Sequence, residues 1–578
     1  MAAALAVPTA VPTAAADPSG ARSYRVTVEA PSPLREILER DVGLVRWQNF
    51  AEMTDDLLDR LAREAVEEAR NMAGALGYFS ARIDVSMDRA ADPVAVTLRV
   101  EAGAQTRITS VRIVVTGPAA TDAPLGTDAV ARLTAGWGLP EGEVFRQAAW
   151  SLAKERALAT LAGSPYAAAR IVGSEAAINP EKLSADLALE LASGPAFGFG
   201  LFEITGLQKY DASLVKNFST ITRGEPYSDV ALNRFVRRLN ASGYFASVQA
   251  RIDPEAPRPE DATVDVAVIE ARPKRFEGGI GYSTDVQFRA NANYRDVNFD
   301  GNGLQFVADA RVETKIQSGS VRFSRPPNAS GWIASYFVGA ERTDIESLVT
   351  RTSAAGTRWH GIEERDEHAL SATYYNDEQQ PYGSPKETAN ALYAEYERHW
   401  RRVDDLVAPT TGWMASAFAG GGVPGVSTRT FGRLRGRIAA WLPLGSNSEL
   451  NVRAEGGAVI AGSRVGIPST LLFRTGGSTT VRGYDFDSLG VAQNGAVVPG
   501  RYYAVASMDA IRWIDALWGV AAFIDVGNAV DSLSDAHLAL GYGIGARIRT
   551  PLGPFRLDVA YGQDVRAVRL QFSVGLTF

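Results

Sequence analysis

The sequence predicts three repeated α+β modules followed by a transmembrane antiparallel β-barrel of about 16 strands. Two observations predict this fold class. Related stretches recur three times between residues 23 and 273, each after a helical pattern. From about Phe276 onward, helical periodicity gives way to period-two alternation of apolar and polar residues. No window approaches the roughly 18 uninterrupted apolar residues of a membrane-spanning helix, so strands are the expected means of crossing.

The composition argues against several functional classes. A net charge of -7 gives no electrostatic basis for a nucleic-acid partner, because phosphate binding needs concentrated Lys and Arg. The absence of cysteine removes disulfides, thiolate chemistry and Cys-based zinc sites. The histidines lack metal-ligand spacing; they are His360, His368, His399 and His537. We therefore expect no cofactor, no metal and no nucleic acid.

Residues 1–22 resemble the tail of a signal peptide and are expected to be disordered. The stretch MAAALAVPTAVPTAAAD ends in small residues that suit cleavage near Ala16. It lacks a positively charged start, and Pro8 and Pro12 interrupt its apolar run. A start codon assigned too far downstream would explain both departures from the usual pattern.

The three modules share the order strand, helices, strand, strand, with about 80 residues each. Their related stretches are GYFSARI, SPYAAARI and GYFASVQARI, which contain Tyr78, Tyr166 and Tyr244. Before the first, apolar residues lie on one helical face, at Leu58, Leu61, Ala65, Met72 and Leu76. The recurring order predicts modules at 23–103, 104–194 and 195–273. Three unrelated α+β domains are the alternative.

Residues 274–578 are predicted to form the barrel. The last strand, VRLQFSVGLTF, alternates most clearly. Its apolar face consists of Val568, Leu570, Phe572, Val574, Leu576 and Phe578. Alternation alone also fits a soluble β-sandwich, in which the apolar face packs on a second sheet. The length of the region and a strand that stops at a terminal Phe favour the barrel.

Three motifs in the barrel carry a family resemblance. The first is Val481-Arg482-Gly483-Tyr484, preceded by FRTGGSTT with Gly476 and Gly477. The others are FIDVGNA, which contains Phe523 and Asp525, and the terminal Phe. With three modules before the barrel, the chain resembles the outer-membrane assembly and secretion superfamily that contains BamA, TamA and the two-partner secretion transporters. The resemblance covers essentially the whole chain.

The resemblance implies a location and a function. The modules would be periplasmic POTRA domains, the barrel would lie in the bacterial outer membrane, and loop 6, at 461–500, would fold into its lumen. Three POTRA domains look like TamA, whereas BamA typically has five and two-partner transporters have two. TamA-like proteins act with a long TamB-like protein anchored in the inner membrane, and they insert outer-membrane clients such as autotransporters. A BamA-like insertase and a two-partner translocator are the alternatives.

Strand parity predicts partners for Arg482 inside the lumen. If Val520, Ala522, Ile524 and Val526 face lipid, then Phe523 and Asp525 face inward. Asp525 would accept hydrogen bonds from Arg482, and Phe523 would offer it a ring face. On the preceding strand, Asp509 matches an inward acidic residue of the family, although it is one methylene shorter than the commoner Glu. The site is thus expected to be an internal latch and to contain no catalytic residue.

A lateral seam is predicted between the first and last strands of the barrel. Gly278, Gly279 and Gly281 weaken pairing of the first strand because they offer no side chains to pack. This strand must close against the strand that ends at Phe578. A weak closure would expose unpaired N–H and C=O groups to which a client strand can add.

Two other function classes are weaker. An enzyme would need a catalytic motif, and the sequence contains no G-x-S-x-G elbow, no P-loop and no His-based acid/base pair. A passive porin would explain the barrel but neither the three modules nor the inward loop motif. Protein insertion and lipid movement both stay open as the activity.

Overall fold

The computed structural model describes residues 23–163, 165–363, 365–550 and 555–574. The predicted signal-like segment 1–22 and the terminal Phe578 lie outside this part of the chain. The described chain divides into two compact units. One reaches to Leu201 and adds Ile221–Leu232 and Ile252–Val264; the other takes Phe202–Thr220, Asn233–Arg251 and the chain from Asp265 onward. The module limits near 103 and 194 stay predictions.

Each module contains a three-stranded sheet and helices. The first consists of β1 Tyr24–Glu29, α1 Leu34–Asp41, α2 Gly43–Arg46, α3 Asp55–Ala75, β2 Arg82–Asp88 and β3 Val94–Glu101. The second consists of β4 Arg107–Thr116, α4 Leu125–Ala135, α5 Gln147–Ala162, β5 Arg170–Asn179 and β6 Ser184–Ala192. The third consists of β7 Phe199–Thr205, α6 Ala212–Lys216, α7 Asp229–Ala241, β8 Phe245–Ile252 and β9 Ala262–Glu270. The sheet orders are β1-β3-β2, β4-β6-β5 and β7-β9-β8, so the last strand of each module lies in the middle.

Helix signals in the sequence explain the modules locally. The hydroxyl of Thr54 accepts a hydrogen bond from the Leu57 amide and thereby caps α3. The apolar face of α3 packs on the sheet, with Leu58 and Ala65 fully buried. Gly77 follows this helix with a φ of 93°, a conformation that glycine adopts without the strain a side chain would bring.

Sixteen of the remaining described strands form one antiparallel sheet that curls into a nearly closed barrel. Its strands are β10 Lys274–Ser283, β11 Gln287–Asp296, β12 Gln305–Glu313, β13 Ile316–Ser324, β14 Trp332–Ile345, β15 Leu348–Gly361, β16 His368–Pro381, β17 Glu387–Val403, β18 Gly412–Gly422, β19 Phe431–Pro443, β20 Ser448–Ile460, β23 Tyr502–Trp513, β24 Trp518–Val530, β25 Ala539–Ile548, β26 Phe555–Gly562 and β27 Ala567–Val574. A short hairpin, β21 Val491–Gln493 with β22 Ala496–Val498, lies in the loop between β20 and β23. The predicted fold class, α+β modules followed by a 16-stranded antiparallel barrel, is confirmed.

Alternation along the strands separates the lipid face from the lumen. On β24, Val520 and Ile524 are 46% and 42% exposed, whereas Phe523 and Asp525 are 5% and 0% exposed. A strand in a barrel wall places alternate side chains on opposite faces, so this contrast assigns Phe523 and Asp525 to the lumen. Among the described residues, no helix combines the length and apolar content needed to cross a membrane.

Candidate functional site

Loop 6 folds back as an ordered segment between β20 and β23. Phe473 and Gly500 exchange backbone hydrogen bonds of 2.9 and 2.8 Å, and Thr475 and Leu489 exchange bonds of 2.9 and 2.8 Å. These pairs close the loop into a narrow double strand. Its tip, the segment from Gly476 to Ser488, is thereby positioned against the lumen wall.

Arg482 lies at the centre of the tip and is 3% exposed. Its Nε donates to Oδ2 of Asp525 at 2.6 Å and its Nη2 donates to Oδ1 at 2.7 Å, a two-pronged contact between guanidinium and carboxylate. The backbone amide of Arg482 also donates to Asp525 Oδ2 at 3.0 Å. The guanidinium carbon lies 3.5 Å from the centre of the Phe523 ring. The structure thus brings together Arg482, Asp525 and Phe523.

Asp509 is also in contact with Arg482. Nη1 of Arg482 donates to its Oδ1 at 2.9 Å, and Nη2 donates to its Oδ2 at 3.3 Å. The shorter side chain of Asp therefore reaches the guanidinium. Every side-chain nitrogen of Arg482 has at least one carboxylate partner, so the burial of this charge is compensated.

Three further residues complete the network and were missed by reasoning from the sequence. Asp558 on β26 accepts from Arg482 Nη1 at 3.1 Å, and the hydroxyl of Ser507 on β23 donates to Asp525 Oδ1 at 2.6 Å. Arg547 on β25 donates to Asp509 at 2.8 Å and to Asp558. Alternation along the stretch LDVAYG, in which Asp558 is the second residue, would have placed this side chain inward. The height at which it meets Arg482 depends on the strand register, which the sequence pattern does not give.

Glycines allow the tip to lie close to the wall. Gly483 has a φ of 92°, and a Cβ there would lie 2.5 Å from the amide nitrogen of Gly562. On the wall, a Cβ at Gly541 would overlap the carbonyl oxygen of Arg482. Gly476 and Gly477 also have positive φ, at 107° and 104°. The loop backbone and strands β25 and β26 therefore approach within a distance that only glycine permits.

The other motif residues anchor the tip by packing and hydrogen bonding. Val481 and Tyr484 are 0% and 1% exposed and pack with Val505 and Ala539. The Tyr484 hydroxyl donates to the carbonyl of Leu540 at 3.1 Å. The four residues of the motif thus all contact the wall on one side of the lumen.

The tip also contacts the last strand of the barrel. The Gly483 amide donates to Oε1 of Gln571 at 3.0 Å, and Nε2 of Gln571 donates to the carbonyl of Tyr484 at 3.1 Å. Arg569 donates to Asp485 at 2.6 Å. Gln571 and Arg569 both belong to β27, so the tip is fixed to this strand by hydrogen bonds and an ion pair.

The same tip contacts the first hairpin of the barrel. Asp285, in the turn between β10 and β11, accepts from the Ser478 hydroxyl at 2.6 Å and from the Ser478 amide at 3.2 Å. Loop 6 therefore binds next to both ends of the 16-stranded sheet. Sequence reasoning missed Asp285 and Gln571, since hydrogen bonds across 193 and 88 residues leave no local signal.

The two ends of the sheet approach each other without pairing. Within the described residues, the ladder runs continuously from β10 to β27, and no backbone pairing joins β27 back to β10. The rings of Tyr282 on β10 and Phe572 on β27 lie 6.4 Å apart, with an interplanar angle of 23°. The predicted seam glycines Gly278, Gly279 and Gly281 lie in β10, where they pair with Ala292, Asn291 and Arg289 of β11. Phe578 lies outside the described residues.

The described residues contain no group of three or more His, Cys, Asp or Glu side chains arranged to hold a metal ion. The acidic residues of the site, Asp509, Asp525 and Asp558, are bound to arginines. The chemistry that this arrangement offers is the fastening of a loop by charge-assisted hydrogen bonds.

Three stretches of the chain match known protein families. Residues 272–578 match the family described as the Omp85 superfamily domain. Residues 38–102 match "POTRA domain TamA domain 1", and residues 198–270 match the POTRA family described as "Surface antigen variable number repeat". The superfamily match covers the barrel and just over half of the chain.

Curated relatives point to the same family. The chain is 24% identical over 404 residues to outer membrane protein assembly factor BamA of Nitratidesulfovibrio vulgaris, a match that covers 65% of the chain and 50% of the relative. It is 25% identical over 342 residues to BamA of Neisseria meningitidis, covering 54% of the chain and 43% of the relative. The chain thus spans about half the length of the curated relatives it matches.

A solved structure shows the same fold. BamA from Haemophilus ducreyi lacking POTRA domains 1–3 superposes with a TM-score of 0.56 at 15% identity, over 81% of this chain and 99% of that one. The barrel, the first module and the third module have counterparts in the matched families. The chain therefore belongs to the Omp85 superfamily, as an outer-membrane β-barrel whose POTRA domains lie in the periplasm.

Proposed function

We propose that this protein is a TamA-like assembly factor that inserts β-barrel clients, autotransporters among them, into the outer membrane through the seam between β10 and β27. The observation that carries the proposal is that β10 and β27 do not pair with each other within the described residues. Unpaired N–H and C=O groups at a sheet edge are a template for strand addition. A client strand that pairs with such an edge would start its own barrel there.

Loop 6 would hold the two sides of this seam together. Ser478 holds the β10–β11 hairpin through Asp285, and the backbone of the tip holds β27 through Gln571. Arg482 fixes the tip itself to β23, β24 and β26. Because one loop tip contacts both sides of the seam, its release would loosen both sides together. Barrel closure and apolar burial in lipid would supply the free energy for insertion without a nucleotide.

The first module would dock a TamB-like partner anchored in the inner membrane. The match of residues 38–102 to the first POTRA domain of TamA supports this assignment. In that module β1 and β2 form the two edges of the sheet, and an edge strand can receive a strand of another chain. Co-purification of a TamB-like protein with the full chain, lost on deleting residues 23–103, would support this docking. Retention of the partner by the shortened chain would count against it.

A reversible crosslink tests the seam. The chain has no cysteine, so Tyr282→Cys with Phe572→Cys introduces the only thiols, at positions whose rings stack across the seam. A reducible bismaleimide should block assembly of an autotransporter barrel in proteoliposomes, and reduction should restore it. The readout is the heat-modifiable mobility of the client, which distinguishes a folded barrel from an unfolded chain.

A matched pair controls for the chemistry. Val559→Cys with Leu570→Cys lies on β26 and β27, which already pair, with these two residues opposite each other. Its crosslinking should leave assembly unchanged. Full assembly activity with the Tyr282 and Phe572 positions crosslinked would rule out insertion through this seam. Secretion of one soluble exoprotein in place of barrel assembly would support a two-partner translocator instead.

A further inference from the structure

A cavity of about 560 Å³ lies where β11, β13 and β15 end and β12 and β14 begin, between residues of the third module and the lumen wall. From the module, Ala241, Ser242 and Tyr244 line it, at the end of α7 and just beyond. From the barrel, strands β11 to β15 line it. Tyr244 is fixed there, because its hydroxyl donates to the carbonyl of Gly303 at 2.7 Å. The cavity is thus bounded by groups held in place.

The lining of this cavity is strongly basic. It includes Arg295, Arg322, Arg325 and Arg358, together with His360, and no Asp or Glu among the described lining residues. By strand register, Arg322 lies opposite Val307 and Phe337 on the lumen face. Four guanidinium groups around one cavity repel one another unless an anion or water screens them.

Most of this charge is not neutralised by the protein. Arg358 binds Glu367 at 3.0 Å and Glu397 at 3.1 Å. Arg295, Arg322 and Arg325 have no carboxylate within ion-pair distance among the described residues. Glu367 also binds Arg401 at 3.1 Å, so this acid is shared between two cations. The cavity therefore keeps an excess of positive charge.

Other groups in the lining would suit a ligand with both polar and apolar parts. Nδ1 of His360 is buried and has no hydrogen-bond partner within the described structure. Phe337 and Ile333 supply an apolar wall beside the arginines. A volume of a few hundred cubic ångströms is in the range of pockets that hold one small ligand.

We propose that this cavity binds a phosphate group, carried by a lipid headgroup or present as a free ion. A tetrahedral phosphate offers several oxygens, so two or more arginines can bind it at once through their planar donor forks. A single carboxylate of an acidic peptide offers two oxygens and one charge, too little for three unpaired arginines. The apolar wall favours the lipid headgroup, whose glycerol and first acyl carbons would contact Phe337 and Ile333.

Calorimetric titration tests the site with the full chain in dodecyl maltoside and phosphate-free buffer. The probes are dihexanoyl phosphatidic acid, inorganic phosphate and hexaglutamate. Dihexanoyl phosphatidic acid should bind saturably, and Arg322→Gln with Arg325→Gln should weaken its binding by roughly tenfold or more. The matched control is Arg289→Gln with Arg311→Gln, which removes the same charge from lumen-facing positions of β11 and β12 outside the cavity. This control should bind within about twofold of the wild type.

The outcomes distinguish a lipid headgroup from a free phosphate ion, and a phosphate site from binding by net charge or of an acidic peptide. Equal affinity for inorganic phosphate and the lipid would make the free ion the ligand and would still support a phosphate site. Equal weakening by the control pair would overturn the proposal, because binding would then follow net charge alone. Binding of hexaglutamate without either phosphate probe would also overturn it, in favour of an acidic peptide. Arg322→Lys with Arg325→Lys keeps the charge and guards against misfolding; it should recover part of the affinity.

Discussion

At the scale of single residues, Arg482 determines how loop 6 is held. Its three side-chain nitrogens and its backbone amide all donate to carboxylates on β23, β24 and β26. Lysine has one charged nitrogen and no planar fork, so it cannot replace this set of contacts. Removal of the guanidinium would leave Asp525, which is 0% exposed, as a buried carboxylate with Ser507 as its remaining side-chain donor.

Arg482→Ala should release the loop tip while leaving a folded barrel. Breaking a buried pair costs about 3 to 5 kcal/mol, enough to shift the loop toward its released state. The measurement is the rate at which a maleimide labels Thr479→Cys in the otherwise cysteine-free chain, which should rise at least tenfold. Arg482→Lys should give a smaller increase. Arg322→Ala, on the lumen face of β13 beside the third module, is the control, and an unchanged labelling rate in Arg482→Ala would contradict the latch.

Gly541→Ala, a change in the barrel wall at β25, should push loop 6 away from the wall. A Cβ at this position would overlap the Arg482 carbonyl oxygen, and overpacking of this kind costs about 1 to 3 kcal/mol. The same Thr479→Cys labelling should therefore accelerate, and client assembly should change with it. Gly432→Ala on β19 is the matched control, since a Cβ there meets no atom within 4 Å. Equal labelling rates in the two variants would show that the wall and the tip are not in close contact.

Residue patterns predicted part of this site and missed the rest for a physical reason. Parity along β24 was enough to place Asp525 and Phe523 inward, because alternation is a local property of a strand. Asp558 and Arg547 lie on strands whose heights relative to Arg482 depend on register around the barrel. Register is set by pairing over the whole sheet, so the sequence alone does not reveal which inward charges meet.

At the scale of elements, a single carboxylate fixes one turn of the third module by hydrogen bonds. Glu270 ends β9 and accepts the backbone amides of Gln208 and Lys209 at 2.8 Å, and that of Tyr210 at 3.3 Å. Desolvation by burial raises the pKa of Glu270, but the three backbone hydrogen bonds outweigh it and hold the pKa below its usual value. The carboxylate thus stabilises the turn between β7 and α6.

The lowered pKa of Glu270 sets the pH range of this stabilisation. A folded-state pKa below the unfolded value of about 4.3 means that the stability is present above pH 4.3 and is lost as pH falls through the folded value. Amide exchange at 208–210 should be faster in Glu270→Gln than in the wild type at pH 7, and the ratio should approach one in strongly acidic buffer. Asp253→Asn, at a turn elsewhere in the module, is the control. A ratio independent of pH would contradict the role of the charge.

The barrel strands show which element properties the sequence predicts well. Alternation along most strands, together with a length that suits about 16 strands, was sufficient to predict the barrel. The course of loop 6 was not predictable in the same way. Its contacts to Asp285 and Gln571 depend on closing a long loop across the lumen, and only the motif signalled that the loop folds inward.

At the scale of the whole molecule, one compact unit contains the barrel together with part of the third module, Phe202–Thr220, Asn233–Arg251 and the residues from Asp265. Hydrogen bonds between described residues of this unit join the module to the barrel. Asn217 donates to the carbonyl of Pro327 at 2.9 Å, Tyr244 to that of Gly303 at 2.7 Å, and Gln305 to that of Ser242 at 3.0 Å. The receiving or donating barrel residues, 303 to 305 and 327, lie in or beside the turns that follow β11 and β13. The module should therefore stabilise the barrel at these turns.

A chain shortened to residues 195–578 should fold to a heat-modifiable barrel and should unfold at a higher temperature than a chain shortened to residues 272–578. Each hydrogen bond is worth about 1 kcal/mol, so their loss together lowers the unfolding free energy by about 3 kcal/mol. Tyr244→Phe in the longer chain removes one donor from a buried site and should produce about a third of that difference. Tyr382→Phe, an exposed tyrosine in the turn after β16, is the control. The unfolding midpoint of each shortened chain is measured from its mobility in gels after heating to a series of temperatures. Equal midpoints would show that the third module does not stabilise the barrel. A gain in client assembly by the 195–578 chain would further contradict the proposed function, because the docking of a partner is assigned to the module that this chain lacks.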